Sequence, residues 1–216
     1  ENNKAIAKFV FEKASLEYGV SVQKSHLKDI HLEKMDKLNF DLDYDTSFLG
    51  SMNNHTMKNY KFLIVDGQIE SIGEIHHLLD QAYKTKVPHV IFCFGMSDEV
   101  EHVIKYNNTH GKFELFPVIV KFDEKTINFL NDIAVLHRSN IVSSRSGQTI
   151  SQAAREDLPE GIEITFHKKG FKIIPVATEQ ELSRHRNFLK SRILEAGHDE
   201  SRKLIIDRLK RFSSKS

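Results

Sequence analysis

Three residues of one predicted helix have the spacing of metal ligands. His76 and Asp80 are four residues apart, so a helix places them on the same face, and His77 lies beside them. A zinc site needs three or four protein ligands, and the sequence marks no further ligand nearby. We therefore expect a solvated helix face here. A small metal-dependent α/β enzyme built on His76, His77 and Asp80 remains the alternative function.

Other signatures of catalysis and nucleotide binding are missing from the sequence. It contains no GxGxxG, no GxxxxGK[ST] and no GxSxG, which mark dinucleotide, mononucleotide and serine-nucleophile sites. The single cysteine, Cys93, lies within an apolar run. Its thiol is therefore expected to be buried and inert, and a lone cysteine excludes an internal disulfide.

A short polar stretch carries large apolar side chains. Tyr44, Phe48 and Leu49 lie among aspartates and serines in residues 39–49. They either cover the edge of a sheet or remain half-exposed, and exposed apolar patches usually mark binding surfaces. Composition leaves both alternatives open.

The composition is that of a globular protein. The 216 residues are 39% hydrophobic and 28% charged, with a formal net charge of +1. This near-neutral balance argues against a dedicated nucleic-acid-binding protein, and no apolar run is long enough to span a membrane. The sequence starts at Glu1 without methionine or an apolar leader, which we interpret as an excised piece without a targeting signal.

The middle of the sequence alternates apolar strands with amphipathic helices. Continuous apolar runs predict buried strands at 62–65, 87–95, 116–120 and 141–143. Helical spacing of apolar residues predicts helices over 72–82, 97–111 and 126–136. Ser97 is the expected N-cap of the second helix. This alternation predicts an α/β core with a largely parallel sheet.

The segments before the centre are predicted to be mainly helical. Residues 4–18 and 26–38 have amphipathic patterns, separated by a short alternating strand at 20–22. Because both ends of the chain are helical, we interpret it as a split outer domain with an inserted inner α/β domain. Such insertion is tolerated because the termini of a domain often lie close together.

The segments after the centre are predicted to form a hairpin and two helices. Residues 162–174 alternate as a hairpin that turns near Gly170. Thr178 starts a capping box, and Asp199 is the expected cap of the last helix. The short connection at Gly197 predicts that the two helices form an antiparallel pair.

An ordered series of short motifs resembles the group I chaperonins of the GroEL type. Residues 130–136 (LNDIAVL) are similar to the family's L-Q-D-I-A-x-L, and Phe40, Asp41 and Tyr44 to its F-D-x-G-Y. Residues 156–158 resemble its E-D-L, and residues 88–111 match its span from K-P to R-G without a gap. Each motif is weak alone, and their collinear order carries the resemblance.

The resemblance implies the fold and its division into domains. It implies an α/β, apical-domain-like core at residues 39–174, with the hairpin 162–174 near the boundary. This core is inserted into a small α+β intermediate domain, formed by residues 1–38 and the C-terminal helices of residues 175–216. In the family the intermediate domain acts as a hinged lever.

The resemblance also implies a polypeptide-binding groove between two apical helices and an adjacent loop. The positions carried over are Tyr44, Thr46, Phe48 and Leu49 in the loop, His76 and Leu79 on the first helix, and Glu101, Lys105 and Tyr106 on the second.

This chain departs from the family at several of these positions. The family has leucine or valine at His76, Glu101, Lys105 and Tyr106, so the groove is expected to be less apolar than usual. Glu101 and Lys105 are four residues apart on one helix and are expected to pair. The family's glycines after D-I-A-x-L are also replaced, the first by Arg138.

The function that the resemblance implies is that of a molecular chaperone. It implies binding of non-native polypeptides and of a co-chaperonin loop, and protein folding and refolding in an ATP-driven homo-oligomeric ring. The family's ATP-binding domain has no match in this sequence. We therefore expect no catalysis, cofactor or metal in this chain, while ATP and Mg belong to the full-length ATPase.

The resemblance further implies the setting of the protein. The chain alone is expected to be monomeric, without nucleic-acid or membrane partners. The full-length protein is expected in the cytoplasm or, in a eukaryote, in the mitochondrial matrix or plastid stroma.

A third hypothesis is an assembly or adaptor module. Residues 184–216 hold ten Lys or Arg against four Asp or Glu, and a basic helix is a candidate interface for an acidic partner. This hypothesis predicts that binding survives Leu79→Asp but not charge reversal at Arg202 and Arg208.

Overall fold

The computed structural model describes residues 37–143 and 147–213. The helix predicted over 4–18, the strand at 20–22 and nearly all of the pattern at 26–38 lie outside these residues. The described residues form one compact unit.

Strands and helices follow one another along this part of the chain. The strands are β1 (Leu38–Asp41), β2 (Asn54–Ile64), β3 (Gln68–Ile69), β4 (His89–Cys93), β5 (Gly95–Met96), β6 (Leu115–Ile119), β7 (Glu160–His167) and β8 (Gly170–Ile174). The helices are α1 (Ile72–Thr85), α2 (Asp98–Thr109), α3 (Glu124–His137), α4 (Ile150–Ala153), α5 (Glu179–Glu195) and α6 (Asp199–Ser213). A short 3-10 turn covers Thr46–Phe48. None of the described helices is long and apolar enough to cross a membrane.

The main sheet has six strands in the order β1-β8-β7-β2-β4-β6. The strands β2, β4 and β6 are parallel, whereas β7, β8 and β1 pair antiparallel. The strands predicted for the α/β core therefore pair in parallel as predicted, but the sheet as a whole is mixed, because the hairpin β7–β8 and the strand β1 extend it. The predicted strand at 141–143 is reduced to a single bridge between Val65 and Val142.

Helices cover both faces of this sheet, so its central strands are buried on both sides. Alternate residues of β4 enter two different apolar clusters: Val90 and Phe92 pack in one, and Ile91 and Cys93 in the other. The first cluster includes residues of α3, α5 and α6. The second includes residues of α1, α2 and α4.

Two of the three predicted helix caps are confirmed. Ser97 accepts a hydrogen bond from the N–H of Val100, and Thr178 forms the predicted capping box. Asp199, however, is the first residue of α6 rather than its cap, since the N–H of Arg202 donates to the carbonyl of His198. The helices α5 and α6 pack against each other as predicted.

The predicted hairpin is confirmed, and its backbone geometry requires glycine at position 170. Gly170 has a φ of 144°, a conformation that glycine adopts readily and other residues avoid. A Cβ atom there would lie 1.9 Å from the carbonyl oxygen of Phe40. The strand β1 therefore pairs closely with β8 only because residue 170 has no side chain.

Candidate polypeptide-binding surface

The two helices that carry most of the predicted groove are neighbours on one face of the sheet. They connect β2 to β4 and β4 to β6, which are adjacent parallel strands, and both pack on the second apolar cluster. The short parallel pair β3–β5 joins the chain segments just before the two helices, through Gln68 with Gly95 and Ile69 with Met96. This pairing holds the N-terminal ends of α1 and α2 together.

The two predicted site residues of α1, His76 and Leu79, lie beside the buried face of the helix. Ile75, Leu78 and Ala82 are buried. Leu79 is partly buried against the same cluster, and His76 is exposed. These two side chains therefore lie where a partner can reach them.

The helix α2 carries the polar part of the surface. The Nζ of Lys105 lies 2.8 Å from Oε2 of Glu101, which confirms the predicted pair. The same Nζ lies 4.6 Å from the ring centre of Phe48 in the loop. The ion pair therefore faces the loop and covers part of its aromatic side chain.

Tyr106 is a large aromatic side chain that α2 exposes. It follows Lys105, so it lies about 100° further round the helix, and its side chain is 54% exposed. Its ring lies against that of His110 with 4.1 Å between centres. The surface of α2 thus has two parts, with an ion pair beside the loop and an aromatic pair further round.

The loop before β2 is anchored to the sheet by two of the predicted site residues. Tyr44 and Leu49 are 9% and 0% exposed, and the hydroxyl of Tyr44 donates to the carbonyl of His167. Burial raises the pKa of Tyr44 to about 12. The sequence left open whether these side chains cover the edge of a sheet or remain half-exposed. Tyr44 and Leu49 cover the sheet edge. Phe48 is half-buried against both apolar clusters, and Thr46 is exposed.

A cleft of about 450 Å³ lies beside Phe48. Its apolar wall is formed by Phe113, Leu115 and Phe116, and Met52, 44% exposed, stands at its rim. Sequence reasoning did not identify these residues. Met52 stands in a polar stretch, and the apolar side chains at 113–116 are those expected of any buried strand.

The free edge of the sheet next to this cleft is closed to further strands. The side chain of Asn108 donates to the carbonyl of Leu115 and accepts from its N–H, at 2.7 and 3.0 Å. Pro117 has no N–H, and the carbonyl of Ile119 accepts from the N–H of Asp45 at 2.9 Å. This edge therefore offers few free backbone groups with which another strand could pair.

The residues with metal-ligand spacing have other partners. Asp80 accepts a hydrogen bond from Lys84 at 2.7 Å, which lowers the pKa of Asp80. Nε2 of His77 accepts from Nε of Arg155 at 2.9 Å. No group of three or more His, Cys, Asp or Glu among the described residues is placed to hold a metal ion. The metal-dependent alternative is not favoured.

Of two further residues singled out in the sequence, Cys93 is buried and Arg208 is partly buried and paired. Cys93 is fully buried, and burial raises the pKa of its thiol to about 12. Arg208, proposed as a surface cation of an adaptor interface, instead donates to the buried carboxylate of Asp132. Charge reversal at Arg208 would therefore perturb folding, and it is not a clean test of an interface.

The described residues have the mixed α/β fold of a chaperonin domain. The chain is similar in structure to the chaperonin gp146 from the bacteriophage EL 2 (Pseudomonas aeruginosa), with a TM-score of 0.59 and 10% identity. This similarity covers 85% of the present chain and 38% of that chain.

Curated relatives place the resemblance within the GroEL type. The chain is 25% identical over 198 residues to the chaperonin GroEL of Onion yellows phytoplasma (strain OY-M). It is also 25% identical over 199 residues to the GroEL of Aster yellows witches'-broom phytoplasma (strain AYWB). Each alignment covers 90% of this chain and 37% of the relative, so the chain spans little more than a third of their length. No family model matches it. The predicted resemblance to GroEL-type chaperonins is confirmed.

Proposed function

We propose that this chain is the polypeptide-binding part of a GroEL-type chaperone and that it binds non-native polypeptides on α1, α2 and the adjacent loop. The observation that carries the proposal is the similarity to GroEL over 90% of the chain. Exposed or half-exposed apolar and aromatic groups at the positions predicted for the groove, Phe48, Leu79 and Tyr106, support it. Tyr44 and Leu49 contribute by anchoring the loop to the sheet.

The physical basis of binding is apolar contact, with modest affinity. Burying about 400 Å² of apolar surface contributes roughly 10 kcal/mol of favourable free energy, before the entropy lost on binding is subtracted. Association and ordering of the polypeptide remove most of it, so affinity is expected to be micromolar or weaker. The Glu101–Lys105 pair occupies space where the family has apolar side chains, so this surface is expected to be more selective than the family's.

The wider role follows the same resemblance. In the full-length protein, several such surfaces in a homo-oligomeric ring would raise the affinity for one polypeptide through multivalency. ATP and Mg would act in a domain that this sequence does not match, and a co-chaperonin loop would compete for the same surface. The proposed location is the cytoplasm, or the matrix or stroma of an organelle.

Titration of a fluorescent, permanently unfolded peptide tests the proposal. The double variant Leu79→Asp/Tyr106→Asp places charge on both helices of the surface. Leu194→Asp, on α5, is the matched control because Leu194 is 85% exposed and lies far from the loop in the sequence.

The proposal predicts at least a tenfold weaker affinity for the double variant and an unchanged affinity for the control. Equal binding by all three folded proteins, or loss of binding in the control alone, would refute the assignment of the surface. Far-ultraviolet circular dichroism establishes that each variant is folded.

A further inference from the structure

The cleft beside Phe48 continues the proposed polypeptide-binding surface. Phe48 lines this cleft, and its ring centre also lies 4.6 Å from Nζ of Lys105 on α2. Asn108 is three residues further along α2, so it lies near the same face of the helix, and it lines the cleft as well. A polypeptide that contacts the loop and α2 therefore reaches the cleft without leaving the surface.

The floor of the cleft is apolar and well packed. Phe113, Leu115 and Phe116 line it and are at most 8% exposed. The ring of Phe116 packs against those of Phe48 and His55, with 6.4 and 5.4 Å between centres. The volume of about 450 Å³ lies within the roughly 300–1,000 Å³ that is typical of ligand sites. The cleft therefore has room for one large apolar side chain and its neighbouring backbone.

The mouth of the cleft carries positive charge. Lys86, the exposed C-terminal cap of α1, lines the cleft, and its Nζ donates to the backbone carbonyl of Lys112 at 2.5 Å. Lys112 is also exposed. Within the described ranges, neither ammonium group forms an ion pair with a carboxylate. Two cations are therefore available to the carboxylates of a bound ligand.

The acidic groups near the cleft already have partners. Glu114 lines the cleft, and its Oε1 lies 3.1 Å from Nε2 of His55. On α2, Glu101 pairs with Lys105. Charge complementarity between two binding surfaces contributes mainly to specificity. The cleft therefore favours ligands that bring carboxylates to the two lysines at its mouth.

We propose that the cleft beside Phe48 is a specificity site for polypeptide segments in which a large apolar side chain is flanked by acidic residues. The apolar side chain enters the cleft, and the flanking carboxylates pair with Lys86 and Lys112. This inference rests on the proposed function and names the segments that the surface prefers. Exposed ion pairs are weak, so the preference should be roughly fivefold at low ionic strength. High salt should abolish it by screening the charges.

Peptides with one tryptophan test the assignment, because the chain itself contains none. Two permanently unfolded peptides differ only in the residues beside a central tryptophan, which are aspartates in one and lysines in the other. Titration followed by tryptophan emission should show roughly fivefold tighter binding of the aspartate peptide, with emission shifted to shorter wavelength. The variant Lys86→Glu/Lys112→Glu should lose this preference.

The matched control carries the same change of charge elsewhere. Lys190→Glu/Lys203→Glu alters two exposed lysines of α5 and α6, which cover the other face of the sheet. This variant should keep the preference for the aspartate peptide. It therefore separates a local effect at the cleft from the effect of net charge.

A nitroxide label at Met52→Cys locates the bound tryptophan. Met52 is 44% exposed at the rim of the cleft, and the buried Cys93 should not be labelled. The label should quench the emission of the bound aspartate peptide, because the nitroxide lies next to the cleft. A label at Leu194→Cys on α5 should leave the emission unchanged.

Three results would overturn the inference: equal affinities for the two peptides, a preference that survives Lys86→Glu/Lys112→Glu, or no quenching by the label at Met52→Cys. The proposed function would still stand in those cases, provided that Leu79→Asp/Tyr106→Asp weakens binding of both peptides. Failure of both peptides to bind the unvaried chain would refute the proposed function and this inference together.

Discussion

At the scale of single residues, a buried hydrogen-bonded pair makes the core sensitive to acid. Nδ1 of His137 donates to the carbonyl of Ile133 at 3.0 Å, so Nε2 accepts from the hydroxyl of Tyr60, at 2.6 Å. Burial lowers the pKa of His137 from 6.5 to about 4, and it also lowers the pKa of the fully buried His89. Both rings are therefore neutral in the folded protein at pH 7.

Lowering the pH should destabilise the protein in a defined window. The unfolded chain binds a proton at His137 below about pH 6.5, whereas the folded chain binds it only near pH 4. The free energy of unfolding should therefore stay constant above about pH 6.5 and fall as pH decreases towards 4. The contribution of His137 is on the order of 3 kcal/mol. Urea unfolding at several pH values, for the protein and His137→Gln, measures it, and equal pH slopes would contradict the assignment.

Arg138 provides a second prediction at this scale. It ends α3 with a φ of 54°, where the family has glycine, and its side chain pairs with Glu181. Hydrogen bonds from Arg138 and from the N–H and hydroxyl of Thr178 lower the pKa of Glu181 to about 2. Glycine adopts this conformation without strain and alanine does not. Both variants lose the pair, so Arg138→Gly should be more stable than Arg138→Ala by about 1 kcal/mol. Thermal unfolding that ranks alanine equal or higher would refute this.

At the scale of elements, regular local patterns predict most of the helices and buried strands. They do not predict which strand pairs with which in the sheet. The sequence predicts the helices α1, α2 and α3 and the buried strand β4 because their apolar residues are regularly spaced, and Ser97 marks the start of α2. The first half of β2 is polar, and it becomes a strand by pairing with β7, as Asn54 does with His167. Pairing between residues so far apart in sequence has no local signal, so β1, the length of β2 and the mixed sheet were missed.

The closed edge of β6 gives a prediction for this scale. Asn108 satisfies both backbone groups of Leu115, and unpaired strand edges are sites of aggregation. Asn108→Ala should therefore increase light scattering during refolding. Asn107→Ala is the matched control, because the Asn107 side chain donates to the carbonyl of Val103 within the same helix and not to the edge strand in the described part of the chain. Equal scattering by the two variants would show that Asn108 does not protect the edge.

At the scale of the whole molecule, part of the candidate surface followed from the sequence. The Glu101–Lys105 pair was predicted correctly because spacing on one helix determines it. The burial of Tyr44 and Leu49 was left open because it depends on the contacts of Tyr44 with His167 and Val120, which only the folded chain brings together. The cleft beside Phe48 was missed for the same reason, since its wall comes from another strand.

The central claim is that α1, α2 and the loop at residues 44–49 bind non-native polypeptides. The most direct measurement is photo-crosslinking of a permanently unfolded peptide that carries a benzophenone group, followed by mass spectrometry of the crosslinked chain. The account predicts crosslinks concentrated on the loop, α1, α2 and the rim of the cleft at Met52, and competition by unlabelled unfolded peptide. Crosslinks concentrated on α5 and α6, or no crosslinks that unlabelled peptide removes, would contradict it.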